Sequence, residues 1–336
     1  MLPFLSIATL FHSSTPIISY NILSTKIQKK QKHIHTKRYL CTKEHLTANI
    51  SITHDMEITE SRSKSFFIIG IIYVIALAVG IVTWKLTSSL LLGDVAATIF
   101  TWAMGLVYKN VSVYDPYWSV APPLLLTLYY FYALNNYSTN ICAILILITI
   151  WIWGIRLTAN WAITFKGLKH EDWRYTKYRK ECNPVIFQII NFFGLNMMPT
   201  IVVFLSMRPA INLIENPGTA HLNWFNYLGA CMCIAAVVIQ HLADTTAHRF
   251  RAQNPGKICK EGLWRKGRHP NYFGEILMWW GVWMQCHSNE EWLSEIIGPL
   301  SITVLFLFVS IPLMEKRQLE NKPGYAEYRK ETRILI

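Results

Sequence analysis

The chain has 336 residues, of which 52% are hydrophobic and 15% are charged, and its formal net charge is +12. This composition excludes an ordinary soluble domain with a single core and favours the bilayer as the solvent. The positive charge does not indicate a nucleic-acid partner, because the basic residues lie in short segments beside long apolar runs. Seven cysteines without a Cys-x-x-Cys pair argue against a disulfide framework and a structural zinc site.

Residues 1–64 are predicted to form a basic N-terminal extension, ahead of a membrane domain at residues 65–336. The first 43 residues contain no Asp or Glu and are rich in Lys, Ser and Thr, as in an organelle transit peptide. Met56 is an alternative start, since a short polar lead follows it directly ahead of an apolar run. A disordered basic tail is the third interpretation.

Eight apolar windows have about the length that a helix needs to cross a bilayer. They cover about 66–84, 89–107, 120–134, 141–157, 184–207, 224–241, 272–286 and 296–314. The sequence therefore predicts an all-α fold, a polytopic membrane helix bundle of about eight transmembrane helices. The seventh window is short for a span, so we expect it to be tilted or bordered by protein.

Lys and Arg are distributed very unevenly among the segments between these windows. If the N-terminus lies in the cytosol, only Lys85 and Arg208 of the 32 basic residues lie on the opposite side of the membrane. Cytosolic loops collect basic residues, so both termini are expected in the cytosol. The chain has no Gly-x-Gly-x-x-Gly and no Gly-x-x-x-x-Gly-Lys-Ser/Thr motif, so any nucleotide would have to be held in another way.

The richest polar pattern joins the sixth window to the seventh. Gln240 and Asp244 lie four residues apart, and Asn271 and Glu275 repeat this spacing, so each pair can share a helix face. Glu275 marks a candidate site, because an ionisable residue at that depth needs a partner or a wet cavity; an ion pair with an arginine is the structural alternative. The basic loop between the two windows carries four arginines that can converge on phosphates, Arg249, Arg251, Arg265 and Arg268.

Five motifs occur in a specific order: Asp115-Pro-Tyr-Trp-Ser-Val-Ala-Pro-Pro, Trp153-Gly-Ile-Arg-Leu-Thr, the stretch from Asp244 to Glu275, Ile311-Pro-Leu-Met-Glu-Lys-Arg and Pro323-Gly-Tyr-Ala-Glu-Tyr. With these motifs, residues 115–336 resemble the C-terminal domain of the steroid 5-alpha-reductase-like membrane family. The turn that begins at Arg268 is also similar to one in sterol reductases and in isoprenylcysteine carboxyl methyltransferases. The resemblance implies a membrane of the endoplasmic reticulum, or an organelle membrane if residues 1–43 are a transit peptide.

The resemblance further implies that residues 141–336 form a cofactor half that encloses NADPH on the cytosolic side. It places Gln240 and Asp244 near the nicotinamide or ribose, and Arg249 and Arg251 near phosphate. The other implied cofactor contacts are Arg156, Arg268, Asn271, Glu275 and Tyr328. Arg156 has a second interpretation as a snorkelling interface residue. The charged tail around Tyr328 either closes over the cofactor or lies on the membrane surface.

The implied activity is an NADPH-dependent reduction of a conjugated double bond in a lipophilic substrate, which is an oxidoreductase reaction on a CH–CH group. Steroid, isoprenoid and fatty-acyl-like compounds belong to this substrate class. Asp115 and Glu275 are the catalytic candidates, with Asp115 at the carbonyl end of the substrate. The steroid enzymes use a Gln-Glu pair there, which this chain lacks, and Asp115 can equally belong to a capped turn.

Two alternatives to the reductase are compatible with the same residues. One is a membrane methyltransferase that uses S-adenosylmethionine, and the other is a non-catalytic membrane protein of the same fold. The arginines of the basic loop favour NADPH, because S-adenosylmethionine has no phosphate groups. The expected partners are a lipophilic small molecule and membrane lipids, with no nucleic acid and no metal.

Overall fold

The computed structural model describes residues 62–134, 141–216, 222–287 and 291–336. Nearly all of the described residues belong to one compact unit, Lys64–Ile336. The proposed transit peptide and the Met56 alternative lie outside the described residues.

Helices form almost all of the regular structure in the described ranges. They are α1 (Arg62–Thr87), α2 (Leu90–Val107), α3 (Tyr117–Leu134), α4 (Ile141–Thr164), α5 (Trp173–Glu181), α6 (Pro184–Glu215), α7 (Trp224–Gln253), α8 (Pro270–Gln285), α9 (Ser294–Asn321) and α10 (Tyr325–Glu331). An isolated parallel bridge joins Gly267 to Arg333, and the described ranges contain no β-strand. The prediction of an all-α bundle is confirmed.

Six of these helices are long and apolar enough to cross a membrane: α1, α2, α4, α6, α7 and α9. The third and seventh predicted windows correspond to helices α3 and α8, which do not meet this criterion of length and apolar composition. Helix α8 has only 16 residues, most of them buried against neighbouring helices, and α3 contains Pro122, Pro123 and several tyrosines. A helix that protein surrounds does not need an apolar surface on every side.

Helices α7 and α8 pack closely and run antiparallel. Asn226 near the start of α7 donates to the carbonyl of Gln285 at the end of α8, while Gln240 lies beside Glu275 near the other end. Small residues permit this approach, because a Cβ atom on Gly229 would lie 2.5 Å from the carbonyl oxygen of Gly281. The packing therefore fixes which residues of the polar stretch face each other.

Two of the long helices contain π-helical segments, Ile190–Met197 in α6 and Phe306–Ser310 in α9. Such insertions widen a helix locally and often occur at functional sites. Both segments contribute residues to the wall of one cavity in the helix bundle.

Candidate functional site

A cavity of about 390 Å³ lies among helices α3, α4, α5, α6, α8 and α9. Its volume is in the range of sites that hold small organic ligands. Aromatic and aliphatic side chains form most of its wall, including Trp118, Trp161 and Phe306. Its polar groups include Asp115 and Tyr175. An apolar chamber with a few polar groups suits a lipophilic ligand that carries one polar end.

The segment between α2 and α3 carries Asp115 and folds back against α1 and the loop before α5. The backbone N–H of Val111 donates to Glu171 at 3.0 Å, and the hydroxyl of Tyr73 donates to the carbonyl of Val113 at 2.9 Å. The hydroxyl of Ser112 accepts from the backbone N–H of Asp172, the N-cap residue of α5, at 3.0 Å. These contacts bring the start of α5 next to Asp115.

Asp115 forms a polar pair with Tyr175, whose hydroxyl donates to its carboxylate. Arg174 lies nearby, with Nη2 3.8 Å from Oδ1 of Asp115. Burial raises the pKa of Asp115 to about 6, although Arg174 and Tyr175 act in the opposite direction. Burial also raises the pKa of Tyr175 well above its ordinary value, so its hydroxyl stays protonated. The cavity therefore has two groups that can carry a proton near neutral pH.

Sequence reasoning identified Asp115 but missed Tyr175 and Arg174. Tyr175 and Asp115 are 60 positions apart in the chain. Tyr175 and Arg174 lie on α5, a helix of only nine residues whose sequence lacks the apolar pattern of a membrane span. The available signal was the run Trp173-Arg-Tyr-Thr-Lys-Tyr, in which aromatic and basic residues alternate as at a membrane interface.

Glu275 is buried in the contact between α4, α7 and α8, with 4% of its surface exposed. Its carboxylate accepts from Trp153 Nε1 at 3.1 Å, from Gln240 Nε2 at 2.6 Å and from Trp279 Nε1 at 3.2 Å. Within the described ranges, Glu275 forms no ion pair. The structural alternative, an ion pair between Glu275 and an arginine, is therefore absent there. Glu275 does not line the cavity at Asp115.

Arg156 and Asp244 form an ion pair one helical turn beyond Trp153 and Gln240, where Nη1 of Arg156 donates to Oδ2 of Asp244 at 2.8 Å. Two buried polar atoms in this region have no hydrogen-bond partner among the described residues, Nε of Arg156 and Oε1 of Gln240. Buried polar atoms are almost always paired, so unpaired ones indicate a missing water or ligand. Asn271, at the start of α8, is half-buried, and in the part of the chain that the structure describes its side chain makes no hydrogen bond.

The four arginines of the basic loop do not form one cluster. Arg249, Arg251 and Arg265 are exposed, and across the described residues they have no acidic partner. Arg268 is buried instead, with Nε 2.7 Å from Oε1 of Glu315 and Nη1 donating to the carbonyls of Arg329 and Thr332. Glu315 therefore already neutralises the charge of Arg268, whose side chain is not exposed as those of the other three arginines are.

Tyr328 anchors the C-terminal tail to the basic loop. Its hydroxyl donates to the carbonyl of Trp264, and its ring packs against Tyr325. Backbone bonds then join the loop to the tail, from N–H of Arg268 to the carbonyl of Arg333 at 2.9 Å and from N–H of His269 to the carbonyl of Ile334 at 3.1 Å. The tail thus covers the loop, and Tyr328 is held by protein.

Comparison with known proteins gives a family but no activity. The family model described as "Protein of unknown function (DUF1295)" matches residues 101–332. "Uncharacterized protein C594.04c" of Schizosaccharomyces pombe is 25% identical over 268 residues, which cover 71% of this chain and 75% of the yeast protein. No solved structure matches the chain. Since the family model spans more than half of the sequence, including Asp115, Glu275 and the basic loop, this membrane protein belongs to the DUF1295 family.

Proposed function

We propose that the protein is an NADPH-dependent reductase of a conjugated double bond in a lipophilic carbonyl compound, as the resemblance to the steroid 5-alpha-reductase-like family implies. One observation carries this proposal: the Tyr175–Asp115 pair forms a proton-carrying polar spot in the wall of a cavity that is lined mostly by aromatic and aliphatic side chains. Reduction of an enone needs such a spot at the carbonyl oxygen, where negative charge develops.

Tyr175 and Asp115 have complementary roles in this proposal. A carbonyl oxygen of the substrate would accept a hydrogen bond from one of the two groups, which stabilises the enolate as it forms. Arg174 holds positive charge beside Asp115 and further favours negative charge at this end of the cavity. A bound lipophilic ligand would displace water from the cavity, which strengthens each of these interactions.

Five residues on the cytosol-facing ends of α4, α7 and α8 suit NADPH. The unpaired Nε of Arg156 and Oε1 of Gln240 offer a donor and an acceptor, and Asn271 offers a side-chain amide. Arg249 and Arg251 are exposed and can bind phosphates. When bound, NADPH supplies a hydride. The chain neighbours of Arg156 and Asn271 line the cavity, which would bring cofactor and substrate sites together.

Glu275 acts in this proposal as a positioning residue, because it does not line the cavity at Asp115. It fixes Gln240 through Nε2, which leaves Oε1 of Gln240 for a ligand. We therefore expect proton chemistry at Asp115 rather than at Glu275.

The proposal places the protein in the membrane of the endoplasmic reticulum. The basic loop, α5 and both termini then face the cytosol. This orientation is supported by the concentration of Lys and Arg at these ends of the helices. Protease protection of tagged protein in sealed vesicles tests the orientation, and a protected C-terminal tag would contradict it.

The decisive experiment measures ligand-induced thermal stabilisation of the purified protein. A ligand at 100 times its Kd stabilises the folded state by about 2.7 kcal/mol, so NADPH should raise the unfolding temperature more than NADH does. Arg156→Gln should remove this stabilisation, whereas the matched variant Arg179→Gln, whose partner is Glu171, should retain it. Stabilisation by S-adenosylmethionine and not by NADPH would replace the reductase with the methyltransferase.

A further inference from the structure

A chain of buried hydroxyl groups leads from Asp94, inside α2, to Tyr114 in the cavity wall. The hydroxyl of Tyr117 donates to Oδ1 of Asp94 at 2.7 Å, and Tyr117 lies next to the side chain of Thr98. Oγ1 of Thr98 lies 2.8 Å from Oγ1 of Thr200, which in turn lies 2.6 Å from the hydroxyl of Tyr114. All five side chains are buried, and Tyr114 lines the cavity beside Asp115.

Asp94 lies within a membrane span and is 2% exposed. Within residues 62–134, 141–216, 222–287 and 291–336, no Lys, Arg or His forms an ion pair with it, and its carboxylate accepts only from Tyr117. An ionised carboxylate with one neutral donor is costly in such a place, whereas a protonated one is not. Asp94 is thus expected to hold a proton.

We propose that Asp94 is a proton store and that Tyr117, Thr98, Thr200 and Tyr114 form a path that carries its proton to the cavity. Each hydroxyl has one donor and two acceptor positions and can rotate, so Thr200, which donates to the carbonyl of Asn196 at 3.0 Å in the structure, can turn its hydrogen toward Tyr114. When a lipophilic ligand fills the cavity and excludes water, this path supplies a proton in addition to that of the Asp115–Tyr175 pair. None of these residues except Tyr114 touches the cavity.

The use of this proton in catalysis rests on the proposed function. In that reaction a C–H bond forms at the alpha carbon of the substrate as the O–H bond of Tyr114 breaks, and each hydroxyl then takes the proton of the next. Asp94 ends as a carboxylate. Water that enters the cavity after the product leaves returns a proton through Tyr114 along the same path.

The path has a purely structural alternative, in which the hydroxyl groups only hold α2, α3 and α6 together. Polar side chains commonly join membrane helices in this way. The two roles differ in one observable, because only a path connects the proton of Asp94 to solvent in the cavity.

Infrared spectroscopy of the full chain in lipid vesicles tests the proton store. We expect a carboxylic-acid C=O band at neutral pH that disappears in Asp94→Asn. Absence of a band that depends on Asp94 would overturn the proposal.

Transfer into D2O then tests the path, since the band shifts when deuterium replaces the proton. Thr200→Val interrupts the path and should slow this shift by about tenfold or more, while leaving the band itself in place. Thr101→Val is the matched control, because Thr101 is equally buried on α2 but, among the residues that the structure describes, its hydroxyl bonds only to the carbonyl of Ala97. Equal exchange in Thr200→Val and the unmodified protein would show that the hydroxyls are structural. Neither measurement uses NADPH or a substrate, so its outcome is separate from that of the reductase proposal.

Discussion

Glu315 is a buried carboxylate and Asp115 a half-buried one, and both lie beside arginines but in different surroundings. Glu315 lies between Arg268, at 2.7 Å, and Arg329, at 3.1 Å, and it does not line the cavity. Asp115 lies 3.8 Å from Arg174 and accepts from a tyrosine in the cavity wall. A carboxylate that is paired with two arginines away from the cavity stabilises the fold. A carboxylate in the cavity wall whose charge is only partly neutralised can exchange protons with a ligand.

The difference shows that the type of a residue does not decide its role. The basic loop and the C-terminal motif suggested a cofactor site around Arg268 and Tyr328. The structure uses both residues to fasten the tail to the loop, through Glu315 and the carbonyl of Trp264. Their predicted contacts with NADPH stay predictions, and the exposed arginines at positions 249 and 251 are better placed for that role.

The largest effect is expected from Glu315→Gln. This change leaves the buried guanidinium of Arg268 without its carboxylate, which costs roughly 3–5 kcal/mol. A strongly lowered unfolding temperature in detergent would show it. Glu320→Gln is the control, because Glu320 is half-exposed and its nearest cation, Lys177, lies 3.9 Å away. Similar unfolding temperatures for both variants would contradict the structural role of Glu315.

Tyr175→Phe should affect chemistry rather than folding. It removes the hydroxyl beside Asp115 but keeps the ring, and loss of a proton donor typically slows a reaction about 10²-fold or more. NADPH oxidation with a panel of lipophilic enones measures the rate, and a thermal shift with NADPH measures cofactor binding. Thr176→Val is the control on the same helix, because Thr176 does not line the cavity. Unchanged turnover in Tyr175→Phe would remove Tyr175 from the proposed site.

The sequence predicts the helices better than it predicts the site, for a physical reason. Apolar windows locate the helices because each span depends on the local match between hydrophobic length and bilayer. The partners of Glu275 depend on packing between distant helices: Trp153 lies 122 positions away, and close approach of α7 and α8 presents Gln240. Spacing alone placed Asn271 and Glu275 on one face, but it could not show that Glu275 meets three neutral donors.

The two regions should respond to pH in opposite directions. The pKa of Asp115 is raised from 3.8 to about 6, so the folded state binds the extra proton and stability falls as pH rises from about 4 to 6. His269, which lies 3.3 Å from Glu315, has its pKa lowered from 6.5 to about 4, chiefly by burial. The unfolded state then binds the extra proton, and stability rises with pH across this window.

Variants separate these two opposing contributions, each on the order of 1–3 kcal/mol. Asp115→Asn removes the contribution to stability that falls as pH rises. The unfolding temperature of this variant should therefore rise more steeply between pH 4 and 6 than that of the unmodified protein. His269→Gln removes the contribution to stability that rises with pH, so the unfolding temperature of this variant should rise less steeply, or fall, over the same range. Parallel curves for all three proteins would contradict the assignment of the two shifts.

The smallest effect is expected where an arginine is exposed rather than buried. The side chain of Arg251 is exposed, and its only hydrogen bond within the described residues goes to the carbonyl of Ala247, one turn earlier on α7, at 3.0 Å. Arg251→Gln should therefore leave the unfolding temperature unchanged and weaken NADPH binding by about 1 kcal/mol, since an exposed charge gains little in water. The loss should shrink as salt is added, because mobile ions screen a surface contact with phosphate. Lys330→Gln removes an exposed charge from the C-terminal helix and serves as the control. An equal loss of NADPH affinity in both variants would show that only the overall positive charge attracts NADPH. A loss of affinity in Arg251→Gln that salt does not reduce would show that Arg251 binds in a buried contact, as Arg268 does.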